Sequence, residues 1–250
     1  MSNVIIGEMY KQLKKKSIII IALVAVIPFA FSFLIYAEPS FLEMDGEFGY
    51  LSYMVVMWQS MWSMFIPHIL VVYLISCVTE DEAQGQILYE FSRIPDRGSL
   101  VLGRLMSIMI MVVGYIIAFF VSATAGFLAF ITRTEHYNPS DVISHEEIVQ
   151  LWTGFLILLL VVSLIYSISS KVKPIITLVI VIIGHFLLSN ISYIENWKII
   201  PGTLAYNMEY TVDSENMPLV IVYQSIILVA LITMCLVYKK IDYKHMEVTF

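Results

Sequence analysis

The chain has 250 residues, of which 14 are Lys or Arg and 20 are Asp or Glu, so 14% are charged against 59% hydrophobic. Mean hydropathy is +0.84. Disorder requires the opposite composition, and a soluble enzyme could not cover its surface with so few charges. Cys77 and Cys235, the two cysteines, both lie in apolar runs, which excludes a secreted disulfide scaffold.

A bilayer core about 30 Å thick takes roughly 20 apolar helical residues to cross. Six stretches meet that need, which predicts an all-α membrane protein with six transmembrane helices. In order they are Ser17 to Ala37, a span of about 54–78 within Leu51 to Val78, about Leu105 to Thr132, Leu151 to Ser170, Pro174 to Ile191, and Met217 to Tyr238. Runs such as LVIVII could also be buried strands, but their length and lack of turn signals favour helices. The first span exceeds the 7–15-residue core of a cleaved signal and follows a lysine cluster, so it reads as an anchor.

Orientation follows from Lys and Arg in alternate connections. Lys11, Lys14, Lys15, Lys16, Arg93, Arg97, Arg104, Lys171, Lys173, Lys239, Lys240 and Lys244 fall on one side, twelve of the fourteen, leaving Arg133 and Lys198 on the other. This places both termini in the cytoplasm.

Before the first span, residues 3–16 bring Val4, Ile5, Ile6, Met9, Tyr10 and Leu13 close to one helical face, with lysines following. That pattern reads as an interfacial helix on an anionic leaflet, or as an ordinary positive flank of the span.

The connection after the second span, Thr79 to Gly103, is the longest one on the cytoplasmic side. Glu80, Asp81 and Glu82 end the second span, where the helix dipole disfavours negative charge. Gly85 can break the helix, Ile87, Leu88 and Phe91 can form a short amphipathic turn, and Pro95 stops it. Arg93 lies in this loop, and Arg97 and Arg104 stand at the entry to the third span. The arrangement reads as a docking surface for a cytosolic partner or as a solvated loop.

At this loop the chain resembles the permease subunits of ABC-2 type transporters. The resemblance rests on Glu80-Asp81-Glu82 with Gly85, Ile87-Leu88, Pro95 with Arg97, Arg104, and the Lys239-Lys240-Ile241-Asp242 ending. It covers the whole chain in layout and about 25 residues in specific motif. The chain departs from the pattern at Gln86, where Thr is usual, and in having only Asp96 between Pro95 and Arg97. The resemblance implies an ABC-2 (type V exporter-like) permease bundle in one domain covering 1–250, with 79–99 as the coupling loop that docks on a separately encoded ABC ATPase. It implies two ATPase copies, a second permease subunit in a homo- or heterodimer, ATP bound only by the partner, and a bacterial plasma membrane.

Other motifs fail on inspection. Gly98 to Leu105 has phosphate-loop glycine spacing but lacks the Lys and the Ser/Thr. His145-Glu146-Glu147, expected in an outer loop, is followed by Val149 where a zinc motif needs its second His, and by Leu151 where CAAX-type membrane proteases carry Arg. No catalytic set remains.

His68 and His185 lie within spans, and neutral imidazole is cheaper to bury than a carboxylate. Met54, Met57, Met61, Met64 and His68 follow helical spacing down the second span. Such a stripe can fill gaps or line a greasy surface; Met61, Met64 and His68 could alternatively pass Cu(I). Gly114, Ala118, Ser122 and Gly126 form a small-residue stripe for close helix packing in the third span. Pro28 and Pro67 can kink their helices. The outer connections, Arg133 to Gln150 and Ser192 to Asn216, are short acidic caps holding Tyr193, Trp197, Tyr206 and Tyr210 at the interface.

The expected function is export of a hydrophobic or amphipathic cargo (a peptide antibiotic or toxin peptide, a lipid-like molecule or a drug) by alternating access, in contact with lipid and without nucleic acid. The rivals are a small-nutrient binding module of an energised uptake complex, a copper-linked permease, and a membrane enzyme.

Overall fold

The computed structural model describes residues 2–37, 47–83, 97–142, 145–169, 171–191, 200–206 and 217–245. Nine α-helices are described: α1 Ser2–Lys14, α2 Ser17–Ala25, α3 Ile27–Ala37, α4 Tyr50–Ser63, α5 Ile66–Ala83, α6 Arg97–Ala129, α7 His145–Ile168, α8 Pro174–Ser189 and α9 Met217–His245. Two 3₁₀ turns, Ile131–Arg133 and Thr203–Ala205, complete the elements. The described residues contain no β-strand, only a single bridge between Phe48 and Tyr137.

Among the described residues, four helical stretches are long and apolar enough to cross a membrane: Ser17–Ala37, Arg97–Arg133, Glu147–Ile168 and Pro218–Tyr243. The α4–α5 pair makes a fifth if its two halves count as one span. Only 11% of the apolar window of the last stretch is buried in the bundle, against 44% for Glu147–Ile168. An apolar helix left that bare needs lipid or another apolar surface as its solvent, so the chain is built as a multi-pass membrane protein. The 16-residue α8 reaches about 24 Å at 1.5 Å per residue, short of a full crossing on its own.

The expected second span is not one straight helix. It bends by 61° between Tyr50–Ser63 and Ile66–Glu80. Phe65 takes a left-handed φ of 59°, and Pro67 follows two residues later, with no N–H to continue the ladder. The bend ends the methionine stripe: Met54, Met57 and Met61 are buried, whereas Met64 is 46% exposed. His68 therefore does not continue the face on which the methionines lie.

Element ends also differ from expectation. α6 starts at Arg97, so Arg97 and Arg104 belong to the helix itself. His145-Glu146-Glu147 forms the first turn of α7 and not a loop, a position where negative charge is favoured by the helix dipole. The basic ending Lys239-Lys240-Ile241-Asp242 continues α9 without a break.

The bundle is organised around α6, which packs against α1, α2, α3, α4, α5, α7 and α9, while α7 and α9 lie along each other. Two of its glycines permit close approaches. A Cβ on Gly103 would stand 2.6 Å from Val4 Cγ1, and one on Gly126 would stand 2.7 Å from Ser32 Cβ and 3.2 Å from the Phe29 Cα. Nothing lies within 4 Å of a Cβ built on Gly114, and Ala118 and Ser122 are half-buried. Close packing along α6 thus occurs at its two ends, against α1 and against α3.

The N-terminal end of α4 is capped from a distant segment. Asp141 Oδ2 accepts from the Gly49 backbone N–H at 2.8 Å and from the Ser52 hydroxyl. A Cβ on Gly49 would come within 2.5 Å of the Asp141 carbonyl oxygen, so glycine is required by the approach. The Ser52 hydroxyl, then the Gly49 N–H, hold the Asp141 carboxyl below its ordinary range.

Candidate functional site

The residues that flank the 84–96 segment are held in a network of charges. Glu80, in the last turns of α5, is exposed and pairs with Lys15 at 2.9 Å; the same ammonium donates to the Cys77 carbonyl at 2.8 Å. Asp81 and Glu82 belong to the α5 backbone. Gly85, Ile87, Leu88, Phe91, Arg93 and Pro95 lie outside the described residues. On the other flank, Arg97 donates to the Tyr243 carbonyl at 2.9 Å.

Arg104 is fully buried. Its Nε lies 3.4 Å from Glu8 Oε1, and an Nη donates to the Tyr243 hydroxyl at 3.1 Å. Glu8 is 3% exposed and also takes Lys11 at 3.1 Å. Lys239, likewise fully buried, lies 5.1 Å from the Tyr166 ring centre and 4.9 Å from that of Tyr243. At the edge, Lys171 pairs with Asp242 at 2.8 Å and donates to the Tyr238 hydroxyl at 2.7 Å.

This network explains the unusual face pattern of α1. Val4, Glu8 and Gln12 repeat every four residues and so share one face. Glu8 and Gln12 are buried there, with Val4 against Gly103 and Gln12 accepting from the Ser17 hydroxyl at 2.7 Å. Ile6, Tyr10 and Leu13 point outward and are exposed. The helix thus turns Glu8 and Gln12 to the protein and Ile6, Tyr10 and Leu13 away, as an element lying beside lipid does. Of this cluster, sequence reading singled out Arg97, Arg104, Glu80 and the basic tail. It missed Glu8, Tyr243 and the burial of Lys239. The four-residue repeat of Glu8 and Gln12 on the face that begins with Val4 was the available signal.

A second polar group sits at the α4–α5 break. His68 is 1% exposed and His185, in the last turns of α8, 7% exposed. Their ring centres are 5.4 Å apart with planes at 90°. Trp62 lies 4.6 Å from His68, and Phe65 and Tyr206 lie 4.6 and 4.7 Å from His185. Tyr206 is placed by the turn before it, where Gln224 accepts from the Gly202 N–H at 3.0 Å and donates to Thr203 Oγ1 at 3.1 Å. Gly202 has φ 93°, the left-handed conformation that glycine tolerates. Among the described residues, no group of three or more His, Cys, Asp or Glu could hold a metal ion.

Bare apolar helices, a bent pair of apolar helices and charges gathered at helix ends define the class as a multi-pass α-helical membrane protein. Comparison with protein-family models, with curated proteins and with solved structures gave no match.

Proposed function

We propose that the chain is the permease subunit of an ATP-driven exporter of the ABC-2 type, with ATP hydrolysed by a separate ATPase that docks on the 79–99 segment. In this reading α4–α5 forms one bent span and α8 a short one, giving six spans with both termini cytoplasmic. Two permease chains and two ATPase subunits complete the transporter, and the cargo is hydrophobic or amphipathic, since the spans carry almost no charge.

One observation carries the reading most of the weight. Both flanks of the 84–96 segment are tied to other helices by charged groups: Glu80 to α1 through Lys15, Arg97 and Arg104 to α9 through Tyr243, and Arg104 to α1 through Glu8. A force applied to that segment would reach α1, α6 and α9 together. A solvated connector needs no such anchorage, because exposed pairs contribute little while burying Arg104 and Glu8 costs several kcal/mol per ion in desolvation.

The test is co-purification. Tagged full-length chain, co-expressed with an ABC ATPase from the same genome, retains the ATPase through solubilisation and gel filtration. Deleting 84–96 releases it. Retention after the deletion, in a variant that still elutes as a folded species, contradicts the docking assignment.

A further inference from the structure

Helix α1 is fastened to the bundle through polar groups. Among its described side chains it buries Glu8 and Gln12 and no apolar one. Val4, Ile5 and Met9 are half-buried, and Ile6, Tyr10 and Leu13 are exposed. Apolar burial is the main force that presses a helix onto a protein, and here most of it is missing. The Glu8–Arg104 pair fixes where α1 sits on α6, but desolvation of the two ions offsets much of their attraction. The surface that covers the apolar face of α1 therefore lies outside the chain.

That face leads into the surface of the first span. Ile6, Tyr10 and Leu13 are followed, one elbow later, by Ile18, Ile19 and Leu23, all exposed. The elbow falls at Lys16, which has a left-handed φ of 60°. It is held by the Ser17 hydroxyl donating to Gln12 at 2.7 Å and by the Lys15 ammonium on the Cys77 carbonyl at 2.8 Å.

The cations stand at this boundary. Lys14 and Lys16 are exposed and fall between the last exposed apolar residue of α1 and the first of α2, which is headgroup level for an interfacial helix that precedes a span. Lys14 Nζ lies 4.8 Å from the centre of the Tyr10 ring, so its charge stands beside the apolar face. No acid on these helices offsets the pair. Glu8 is the only Asp or Glu in residues 1–37, and its carboxylate is buried against Arg104 and Lys11. Glu80, which reaches the elbow from α5, is taken by Lys15 at 2.9 Å.

The outward side of α1 is thus apolar and cationic, with its one negative charge turned inward. Its complement is a surface that offers hydrocarbon and anionic phosphate together, which is an anionic leaflet. Neutral lipid matches only the apolar half. A soluble acidic partner matches only the cationic half, because the adjoining Ile18, Ile19 and Leu23 belong to a span that lipid covers.

We infer that the exposed face of α1 is a docking surface selective for anionic lipid, and that the leaflet presses this helix against α6. Anionic lipid thereby controls how firmly Glu8 is kept on Arg104. No ATPase takes part in the contact, so it stands or falls independently of the exporter reading.

The test is amide hydrogen exchange of the full chain, without any ATPase, in nanodiscs of phosphatidylcholine with or without phosphatidylglycerol. Phosphatidylglycerol slows exchange in α1 by roughly tenfold or more, because each lysine at an anionic surface strengthens attachment about fivefold. High salt removes that increment. Lys14→Gln combined with Lys16→Gln, both at exposed positions, abolishes the response of α1 and leaves the slow exchange of α6 in place. Lys240→Gln, at an exposed position on α9, responds as the wild type does. Equal exchange of α1 in the two lipids, a readout that needs no variant to fold, overturns the inference. So does a double variant that responds as fully as the wild type, or the same slowing by glycerol phosphate added to phosphatidylcholine discs, which would assign the lysines to a free phosphate.

Discussion

The two polar sites of this bundle differ in kind. At the end carrying α1 and the basic tail of α9, charged groups are buried but answered: Glu8 meets Arg104 and Lys11, and Lys239 lies between two tyrosine rings. At the break of the second span, the buried groups are uncharged imidazoles and their Nδ1 atoms are unanswered. Charge pairs tie together the helices that carry them, even though Glu8 Oε2 has no partner of its own. The contrast separates an end of the bundle tied by charges from a break lined by aromatic rings.

The sharpest way to break this contrast is to remove one partner of the buried pair. Glu8→Ala leaves Arg104 buried without its carboxylate and is expected to destabilise the bundle by about 3–5 kcal/mol, measured by thermal unfolding in nanodiscs. Glu8→Leu combined with Arg104→Met, an apolar exchange of both partners, should recover most of that loss. A double variant no more stable than Glu8→Ala would show that the pair is not the anchor.

Next in size is the close approach of α6 to α3. Gly126→Ala puts a methyl against Ser32 and the Phe29 backbone and is expected to cost about 1–3 kcal/mol. Gly114→Ala, with nothing within 4 Å, should be neutral or slightly stabilising, because alanine has the better helix propensity. Equal effects at the two positions would contradict the packing described for this helix.

Lys239→Met tests whether the buried ammonium is held by its rings. Cation–π contacts that are desolvated contribute about 2 kcal/mol or more, so the substitution should lower stability by roughly that amount, less whatever the thioether regains by packing. No loss would mean that the charge is not needed there.

The smallest effect belongs to the cap of α4. Asp141→Ala removes the acceptor for Gly49 and Ser52, at about 1 kcal/mol for a lost helix cap. Because the folded carboxyl titrates below its ordinary value, its contribution is complete at pH above the ordinary carboxylate range. It is lost as pH falls through the lower folded value. The stability difference between wild type and Asp141→Ala should therefore shrink in acid; a difference independent of pH would remove the carboxylate from the cap.

Much of the helical layout was legible because apolar runs without charge have one solution in lipid. The first span and the third, α6, emerge close to where hydropathy placed them. Hydropathy could not show that Phe65 adopts a left-handed conformation, since Pro67 alone permits anything from a gentle kink to the observed 61° break. For the same reason the methionine stripe looked continuous through Met64 and His68: helical spacing assumes an unbroken helix. Arg97 and Arg104 were picked out from the loop pattern, but their partners Glu8 and Tyr243 lie 96 and 139 residues from Arg104 in the chain. Pairings over such separations are set by how helices pack, which no local pattern encodes. The burial of Glu8 had a trace in the sequence, its four-residue spacing from Val4 and Gln12, whereas that of Lys239 had none, because a lysine ending a span reads as a snorkelling anchor.

The proposed coupling requires that work done on the 79–99 segment moves α1 and α6 as one body. Pulsed electron resonance tests it, on the proposed complex with an ABC ATPase in nanodiscs, with spin labels at the exposed positions Tyr10 on α1, Met106 on α6 and Leu187 on α8. Trapping the ATPase with ATP and vanadate should leave the Tyr10–Met106 distance unchanged while the Tyr10–Leu187 distance shifts. A change between Tyr10 and Met106, or no nucleotide-dependent change in either pair, would contradict the account.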